Sequence, residues 1–272
     1  MSEENKIRDA ADAIKGIVEA VPIYQDTVQL AAKEVGVALQ TVAKTLHILL
    51  APVSALVWGY DHLKDFVSTR VAEKLKDVPH ERLIQPAPNV AGPALEALRY
   101  TGFEASLREL YANLLATSVD SKTARDAHPS FVEIIKQMSP DEALLMTALA
   151  QATALPIISV RQERTKDRIG NWILRHFSLL PFQAQCKYPE LGANYLTNLE
   201  RMGLIELREN YRLRENDIDL YKPLKDHPVV QRLIEETRQQ EGMTEKISED
   251  AALLTPFGDQ FCTACIRDIH SP

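Results

Sequence analysis

The stretch KTLHILLAPVSALVWGYDHLKD, from Lys44 to Asp65, decides how the N-terminal half of this chain folds. Sixteen residues between Lys44 and Asp61 carry no formal charge, and Pro52 interrupts them near the middle. A helix of that length spans about 24 Å, which is shorter than the roughly 30 Å hydrocarbon core of a bilayer. Pro52 would also break one hydrogen bond of a membrane-spanning helix. We therefore expect the buried elbow of a helical hairpin; a hairpin that inserts into a membrane only on activation is the second interpretation.

The residues on either side of this elbow predict two amphipathic helices. Before it, apolar residues recur every seven positions as a heptad seam, at Val28, Val35, Val42 and Leu49. After Pro52, a second apolar stripe continues to Val78, and Pro79 ends it. We expect the two helices to fold back on each other as a long antiparallel hairpin, and the seam also predicts binding to a protein partner or self-association.

The elbow supplies the residues that we expect to contact a partner or a membrane. They are Leu49, Val53, Leu56 and Trp58. Trp58 suits the headgroup boundary of a bilayer, because its ring has an apolar body and a polar N–H. In the resting state, these side chains are expected to be hidden against neighbouring helices.

Helical patterns continue through the N-terminal half. Residues 103–119 have apolar side chains at helical spacing, and Pro129 suits the first turn of a helix in SFVEIIKQM. The sequence Ser139-Pro140-Asp141-Glu142 is a capping box with proline at the first helical position. It predicts the start of another helix.

The C-terminal half has a different pattern. Residues 156–162, PIISVRQ, are apolar and β-branched and predict a strand. We expect a helical stretch around residues 169–177 and then the helix GANYLTNLERMG, ended by Gly203. Residues 204–207 and 211–214, LIEL and YRLR, predict a β-hairpin. Helices followed by a hairpin are the order of elements in a winged helix.

The predicted fold class is therefore mainly α. An N-terminal helical bundle with a long antiparallel helical hairpin is expected in residues 1–138. A smaller α+β winged-helix-like domain with C-terminal helices is expected in residues 139–272.

The composition indicates in which compartment the protein acts and which class of partner it binds. The 272 residues carry a net charge of −7 with a pI near 5.6, which argues against nucleic-acid binding by bulk charge but leaves a local basic patch open. The N-terminal residues are not basic and then apolar, so we expect a cytoplasmic protein, with association with a membrane on activation as the second interpretation. Three cysteines are too few for a disulfide framework.

A nucleic-acid interpretation remains beside the partner interpretation. The helix ELGANYLTNLERM would be the recognition helix and the hairpin after it the wing, with Asn198, Arg201, Arg208 and Arg212 as candidate contacts. Glutamates in that helix reduce its positive charge, so a protein-binding or solvated surface is favoured. The nearest basic cluster contains Trp172 and is interrupted by Glu163 and Asp167: Arg161, Arg164, Lys166, Arg168 and Arg175.

No catalytic, cofactor or metal site is expected. Cys262 and Cys265 have the spacing of a zinc or redox pair, but a zinc site needs four ligands and the sequence has no second pair, so two core cysteines are favoured. His128, directly before Pro129, is explained more simply as a helix-entry residue than as an acid–base partner of Glu133. The sequence has no glycine-rich phosphate loop.

Several phrases of the sequence resemble the bacterial Abi-alpha (abortive infection alpha) family. The most distinctive are AGPALEALRYTGFEASLRELYANLLATSVD at residues 91–120 and AHPSFVEIIKQMSPDEALLM at residues 127–146. YLTNLERMGLIEL and LTPFGDQF follow downstream, and the resemblance extends from about Pro22 to Cys262. It implies a bacterial protein of phage defence, in which the infected cell stops growing or dies, and it implies no established reaction.

These features together predict an abortive infection protein that acts without enzymatic chemistry. Its helical region would engage a protein partner or, conditionally, a membrane, while the C-terminal part would sense or regulate. A winged-helix DNA-binding transcriptional regulator is the alternative.

Overall fold

The computed structural model describes residues 60–152, 154–214 and 219–267. The first arm of the predicted hairpin and the elbow residues Leu49, Val53, Leu56 and Trp58 lie outside these ranges. The chain divides into two compact units, residues 1–140 with 260–272 and residues 141–259. The predicted domains, 1–138 and 139–272, stay a prediction, because a compact unit is not by itself an independently folding domain.

The first unit is helical over most of the part that the structure describes. Side chains from several of its helices are fully buried together, among them Leu63, Leu98, Leu114 and Phe131. Its elements are α1 (Tyr60–Phe66), a π-helical turn (Val67–Val71), α2 (Ala72–Leu75), α3 (Pro88–Thr101), α4 (Ala105–Val119) and α5 (Ser130–Lys136).

The second unit combines helices with a curled antiparallel sheet of four strands in the order β2-β1-β4-β3. The strands are β1 (Ala154–Arg164), β2 (Gly170–Phe177), β3 (Ile205–Arg208) and β4 (Met243–Leu254). The helices are α6 (Pro140–Leu149), α7 (Leu180–Gln183), α8 (Gly192–Arg201), α9 (Lys222–Lys225) and α10 (Pro228–Arg238). The last helix, α11 (Pro256–Cys265), begins in this unit and ends in the first.

Helix α4 forms the centre of the first unit. Most of its residues from Leu107 to Val119 are buried, the polar Asn113 and Thr117 included. Asn113 Nδ2 donates to the carbonyl of Cys265 over 2.8 Å, and Thr117 Oγ1 donates to that of Ala264 over 3.0 Å. These two side chains therefore satisfy carbonyls at the end of α11, where a helix has no internal donors left.

The pairing of β1 with β4 organises the second unit. It extends from Ala154↔Leu253 to Arg164↔Met243 without a register shift. Because side chains alternate between the two faces of a strand, Ile158 and Val160 point to one face. That face packs against the segment after β3 and helices α9 and α10, with an apolar core that includes Tyr221, Leu224, Val230 and Ile234.

The predicted fold class is wrong in its C-terminal part. Residues 169–177, expected to be helical, contain the edge strand β2, and residues 211–214, expected to be the second strand of a wing, form no strand. The strand β3 instead pairs with β4, at residues 243–254, for which the sequence analysis assigned no element. The hydrogen-bond partners of these strands are distant in sequence, so local propensity did not identify them. The unit is a sheet-and-helix structure and no winged helix.

The start of α11 packs tightly against the segment between α8 and β3. Gly203 ends α8 in a left-handed conformation, with φ 75°, as its position in the sequence predicted. The backbone N–H of Thr255 donates to the Leu204 carbonyl over 3.1 Å, and the Thr255 hydroxyl accepts from Gly258 N over 2.8 Å. Gly258 therefore lies directly against the backbone of Leu204.

Replacing Gly258 with alanine tests this close approach. The added Cβ would lie 1.8 Å from the Leu204 carbonyl oxygen, which is a backbone atom and cannot rotate away. We expect the variant to lose about 1–3 kcal/mol of unfolding free energy, measured by denaturant titration. Thr263→Ala, at an exposed position of the same helix, is the control and should change stability by less than about 0.5 kcal/mol. Equal stability of Gly258→Ala and the parent chain would contradict the packing described.

Candidate functional site

A cluster of buried polar side chains lies on the sheet face opposite to Ile158 and Val160. Ser159 of β1 and Ser248 of β4 are direct cross-strand partners, and Asp250 lies two residues beyond Ser248 on the same face. Ser159 Oγ donates to Asp250 Oδ2 over 2.9 Å, and Ser248 Oγ donates to Asp250 Oδ1. All three residues are at most 5% exposed, so hydrogen bonds replace the water that the carboxylate loses.

A bulge in β2 brings His176 to this cluster. Opposite the segment of β1 between Ile158 and Val160, β2 contains one residue more than β1. His176 has a left-handed backbone, with φ 50°, and its backbone N–H donates to Ser159 Oγ over 3.2 Å. Bulges of this kind bend a strand and increase its twist, which fits the curl of the sheet.

The segment after β3 is tied to the same carboxylate. Asn210, also left-handed with φ 55°, donates its backbone N–H to Asp250 Oδ1 over 2.8 Å. The buried Tyr221 hydroxyl donates to the backbone carbonyl of Asp250 over 2.9 Å and accepts from Leu213 N over 2.8 Å. We call Ser159, His176, Asn210, Ser248 and Asp250 the buried polar cluster.

The residue types of this cluster are those of a hydrolytic triad, but its geometry is structural. In a triad, the serine hydroxyl bonds to the histidine ring, which the carboxylate orients. Here Ser159 Oγ donates to Asp250 and accepts from the backbone N–H of His176. Ser159 is also only 2% exposed. The cluster therefore holds β1, β2, β4 and the segment after β3 together, and it does not present a nucleophile to solvent.

The His176 ring is held in its neutral form. Burial lowers the pKa of His176 below its usual value, and the neighbouring Arg175 adds to the decrease. The carboxylates of Asp250, Glu200 and Glu209 act in the opposite direction without cancelling it. The surroundings of His176 thus favour the uncharged ring.

Further along the same sheet face, basic and aromatic side chains are placed side by side. Arg161 of β1 is the direct cross-strand partner of Trp172 on β2 and of Lys246 on β4. Direct partners share one face of an antiparallel pair, so the three side chains are neighbours. Trp172 is 39% exposed and Lys246 is exposed as well. We call Arg161, Trp172 and Lys246 the basic–aromatic face.

The remaining basic residues of the β1–β2 hairpin are mostly in ion pairs. Arg164 contacts Asp167 and Arg168 contacts Glu163, both over 2.9 Å. In the described ranges, neither Arg161 nor Lys246 lies within 4.0 Å of a carboxylate, and the buried Nε of Arg161 has no hydrogen-bond partner. The positive charge of the basic–aromatic face is therefore not neutralised by these parts of the chain.

Arg175 connects the aromatic ring to the other side of the curled sheet. Its guanidinium lies over the Trp172 ring, 5.7 Å from the centroid. It also pairs with Glu209, which follows β3, over 3.1 Å. The two edges of the sheet thus meet through a side-chain ion pair, and Trp172 is held in place by a cation on one side.

The nucleic-acid candidates of the sequence are engaged with other side chains. Asn198 Nδ2 donates to Glu142 Oε1 over 2.8 Å, and Arg201 Nε donates to Asn198 Oδ1 over 2.9 Å. Arg208 pairs with Glu206 over 2.9 Å, and Arg212 pairs with Glu249 over 3.0 Å and with Asp219 over 3.4 Å. Their role in binding stays a prediction, as does that of Leu49, Val53, Leu56 and Trp58, which lie outside the described residues.

Cys262 and Cys265 are packed in the core, and His128 caps a helix. Cys262 and Cys265 are fully buried in α11, and burial raises the pKa of the Cys265 thiol. Throughout the described ranges, no group of three or more His, Cys, Asp or Glu side chains is placed to hold a metal ion. His128 Nδ1 accepts from the backbone N–H of Ser130 over 3.2 Å, so the ring caps the start of α5.

No helix in residues 60–152, 154–214 and 219–267 has both the length and the apolar content required to cross a bilayer.

Sequence reasoning identified Trp172 and Arg161 but missed the residues that complete both sites. Lys246, Ser248 and Asp250 belong to TEKISED, residues 244–250, which lacks the apolar alternation of a half-buried strand. Ile247 is its only apolar residue, so it carried no hydrophobic signal of a strand. Asn210 was assigned to a hairpin turn, and nothing in the sequence indicated its bond to Asp250.

Replacing His176 with asparagine tests the electrostatics of the buried cluster. Asparagine tolerates the left-handed backbone of this position and has no titrating ring. Because the folded pKa of His176 is lowered, the unfolded chain binds its proton first as the pH falls. We expect the unfolding free energy of the parent chain, relative to His176→Asn, to be constant above about pH 7 and to decrease below about pH 6.5.

The comparison cancels the other histidines, because both proteins contain them. Urea unfolding of the two proteins between pH 5 and pH 8 measures the difference. A difference that is independent of pH, or that grows in favour of the parent chain in acid, would show that the ring is not held neutral.

Comparison with known proteins gives a family but little else. The family model for abortive infection alpha matches residues 59–265. No curated protein matches the chain. A solved structure, of an uncharacterized protein from the hydrocarbon-degrading marine bacterium Alcanivorax borkumensis SK2, is 19% identical with a TM-score of 0.36, and the match covers 49% of this chain and 90% of the other. The family match extends over both units, and on that basis the chain belongs to the abortive infection alpha family.

Proposed function

We propose that this chain protects bacteria against phage by binding, without catalysing a reaction. The family description indicates abortive infection, in which an infected cell stops growing or dies. In our proposal the helical region engages a protein partner or, on activation, a membrane, through residues that include Leu49, Val53, Leu56 and Trp58. The second unit is the part that recognises a signal of infection.

The main support for this proposal is that the polar groups of the buried polar cluster are hydrogen-bonded to one another. Asp250 accepts from Ser159, from Ser248 and from the backbone of Asn210. The Ser159 hydroxyl has one proton, and that proton is donated to the carboxylate. A serine in this state supports strand pairing and is poorly suited to attack a substrate.

The exposed side chains of the second unit support binding as well. Trp172 and Ile169 are 39% and 60% exposed on the β1–β2 hairpin, among arginines. Tryptophan and arginine are the residue types enriched at the energetic centres of interfaces. The winged-helix regulator considered from the sequence is not proposed, because the predicted wing is not formed.

Ser159→Ala is the variant that separates binding from catalysis. It removes two buried hydrogen bonds, the one to Asp250 and the one from the backbone N–H of His176, at a cost of about 2–4 kcal/mol, and would abolish any reaction that uses this hydroxyl. In cells challenged with phage, we expect Ser159→Ala to protect as well as the parent chain at equal protein level. Loss of protection by a Ser159→Ala protein that stays folded at the growth temperature, as its melting curve shows, would overturn the non-enzymatic proposal.

Leu56→Asp and Trp58→Asp test the helical region in the same assay. We expect both to lose protection, because a buried or membrane-facing apolar contact does not tolerate a carboxylate. Fractionation of cells before and after infection then separates the two kinds of target. Recovery of the protein in the membrane fraction only after infection supports the membrane version, whereas a protein that stays outside it while protecting supports a protein partner. Full protection by both variants would exclude this region as the effector.

A further inference from the structure

Two positive charges lie next to each other on the basic–aromatic face, and no carboxylate of the described residues neutralises them. Arg161 and Lys246 are directly opposite on neighbouring strands, and like charges in that arrangement destabilise a sheet. Within the described ranges, no carboxylate pairs with either of them; the Arg161 guanidinium donates from Nη2 to the Gly170 carbonyl over 3.1 Å, a bond that leaves its charge in place. An anionic group bound between the two side chains would remove this repulsion.

The surrounding residues extend the positive charge toward the tip of the hairpin. From Arg161 to Arg175, both included, the chain has five basic and two acidic residues, a net charge of +3 in a chain whose net charge is −7. The acidic Glu163, on the same face as Arg161, is only 3% exposed and is paired with Arg168. Lys166 is exposed at the tip. A local basic patch on an acidic protein is the electrostatic footprint expected of a polyanion site.

The exposed ring of Trp172 indicates that the ligand also contains a flat ring. The indole lies beside Arg161 on the edge strand, is 39% exposed, and has the Arg175 guanidinium near its ring. Alternating phosphates and planar bases match neighbouring cations and an aromatic ring, and stacking of a base on an aromatic side chain accepts any base. An acidic protein segment would use the cations but not the stacking surface.

We infer that the basic–aromatic face binds single-stranded nucleic acid. Phosphates contact Arg161 and Lys246, and an unpaired base stacks on Trp172. A duplex suits the face less well, because its bases are already stacked on one another and do not offer a free ring to Trp172. This inference deepens the proposed function, since it names the signal that the second unit recognises.

Binding is tested with the purified full-length chain and a fluorescently labelled oligothymidylate of twelve nucleotides. We expect anisotropy to rise with protein concentration at low salt, and affinity to fall with salt by about 0.7 log units per log unit of salt for each phosphate contact. The intrinsic fluorescence of Trp172, measured in a Trp58→Phe background, should be quenched as the unlabelled oligonucleotide binds. No anisotropy change at 50 mM salt would overturn the inference.

Single substitutions locate the site. Trp172→Ala should weaken binding about fivefold or more, the usual effect of losing one stacked base. Lys246→Gln changes an exposed side chain that carries no ion pair in the described part of the chain, and it should weaken binding and reduce the salt dependence by about one phosphate contact. The matched control is Arg232→Gln, with the same loss of charge on exposed α10. Equal weakening by the control and by Lys246→Gln would mean that only net charge matters and would overturn the assigned site.

Two competing ligands separate the alternatives. Polyglutamate of twelve residues should not displace the oligonucleotide, and the same sequence as a duplex should compete only weakly. Displacement by polyglutamate at equal concentration would assign the face to an acidic protein instead, and that outcome overturns the inference. All of these measurements use purified protein, so they are independent of the phage assay: a failure of binding leaves the non-enzymatic proposal standing, and loss of protection by Ser159→Ala leaves the binding result standing.

Discussion

Eleven residues of β1 are paired with β4 in unbroken antiparallel register, and this pairing decides which side chains of the second unit are buried. A shift of one residue would exchange the two faces. In the observed register, Ile158 and Val160 enter the apolar core, while Ser159 and Arg161 point to the other face. The same register places Ser248 and Lys246 opposite these two residues. Both the buried polar cluster and the basic–aromatic face are therefore consequences of one strand pairing.

The buried polar cluster shows how the sheet can curl without leaving polar groups unsatisfied. His176 and Asn210 have left-handed backbones, a conformation that costs energy for residues other than glycine. Each donates its backbone N–H to a side chain of the cluster, His176 to Ser159 and Asn210 to Asp250. Because an unpaired buried N–H would be costly, these bonds stabilise the two distorted positions. Ser159, His176 and Asp250 have the residue types of a catalytic triad, but their arrangement is explained by the curl of the sheet.

The functional proposals follow from the contrast between this closed cluster and its exposed neighbours. Asp250 is fully hydrogen-bonded on one sheet face. A few residues away on the same face, Arg161 and Lys246 have no neutralising carboxylate among the described residues. An acidic chain with one such basic region can bind an anion locally while repelling polyanions elsewhere. That combination suits recognition of a signal, and recognition without chemistry is what we propose for this member of the abortive infection alpha family.

The sequence by itself determined features that depend on neighbouring residues. Pro140 begins a helix after Ser139, Gly203 ends α8, His128 caps α5, and residues 105–119 form a helix, because capping, left-handed glycine and apolar spacing act within a few residues. It also located the basic cluster around Trp172. Only the tertiary structure decided that residues 170–177 and 243–254 are strands and that Lys246 lies beside Arg161. Strand pairing obtains its hydrogen bonds from residues far away along the chain, and the buried Asp250 of β4 becomes favourable only through its bonds to the distant Ser159 and Asn210.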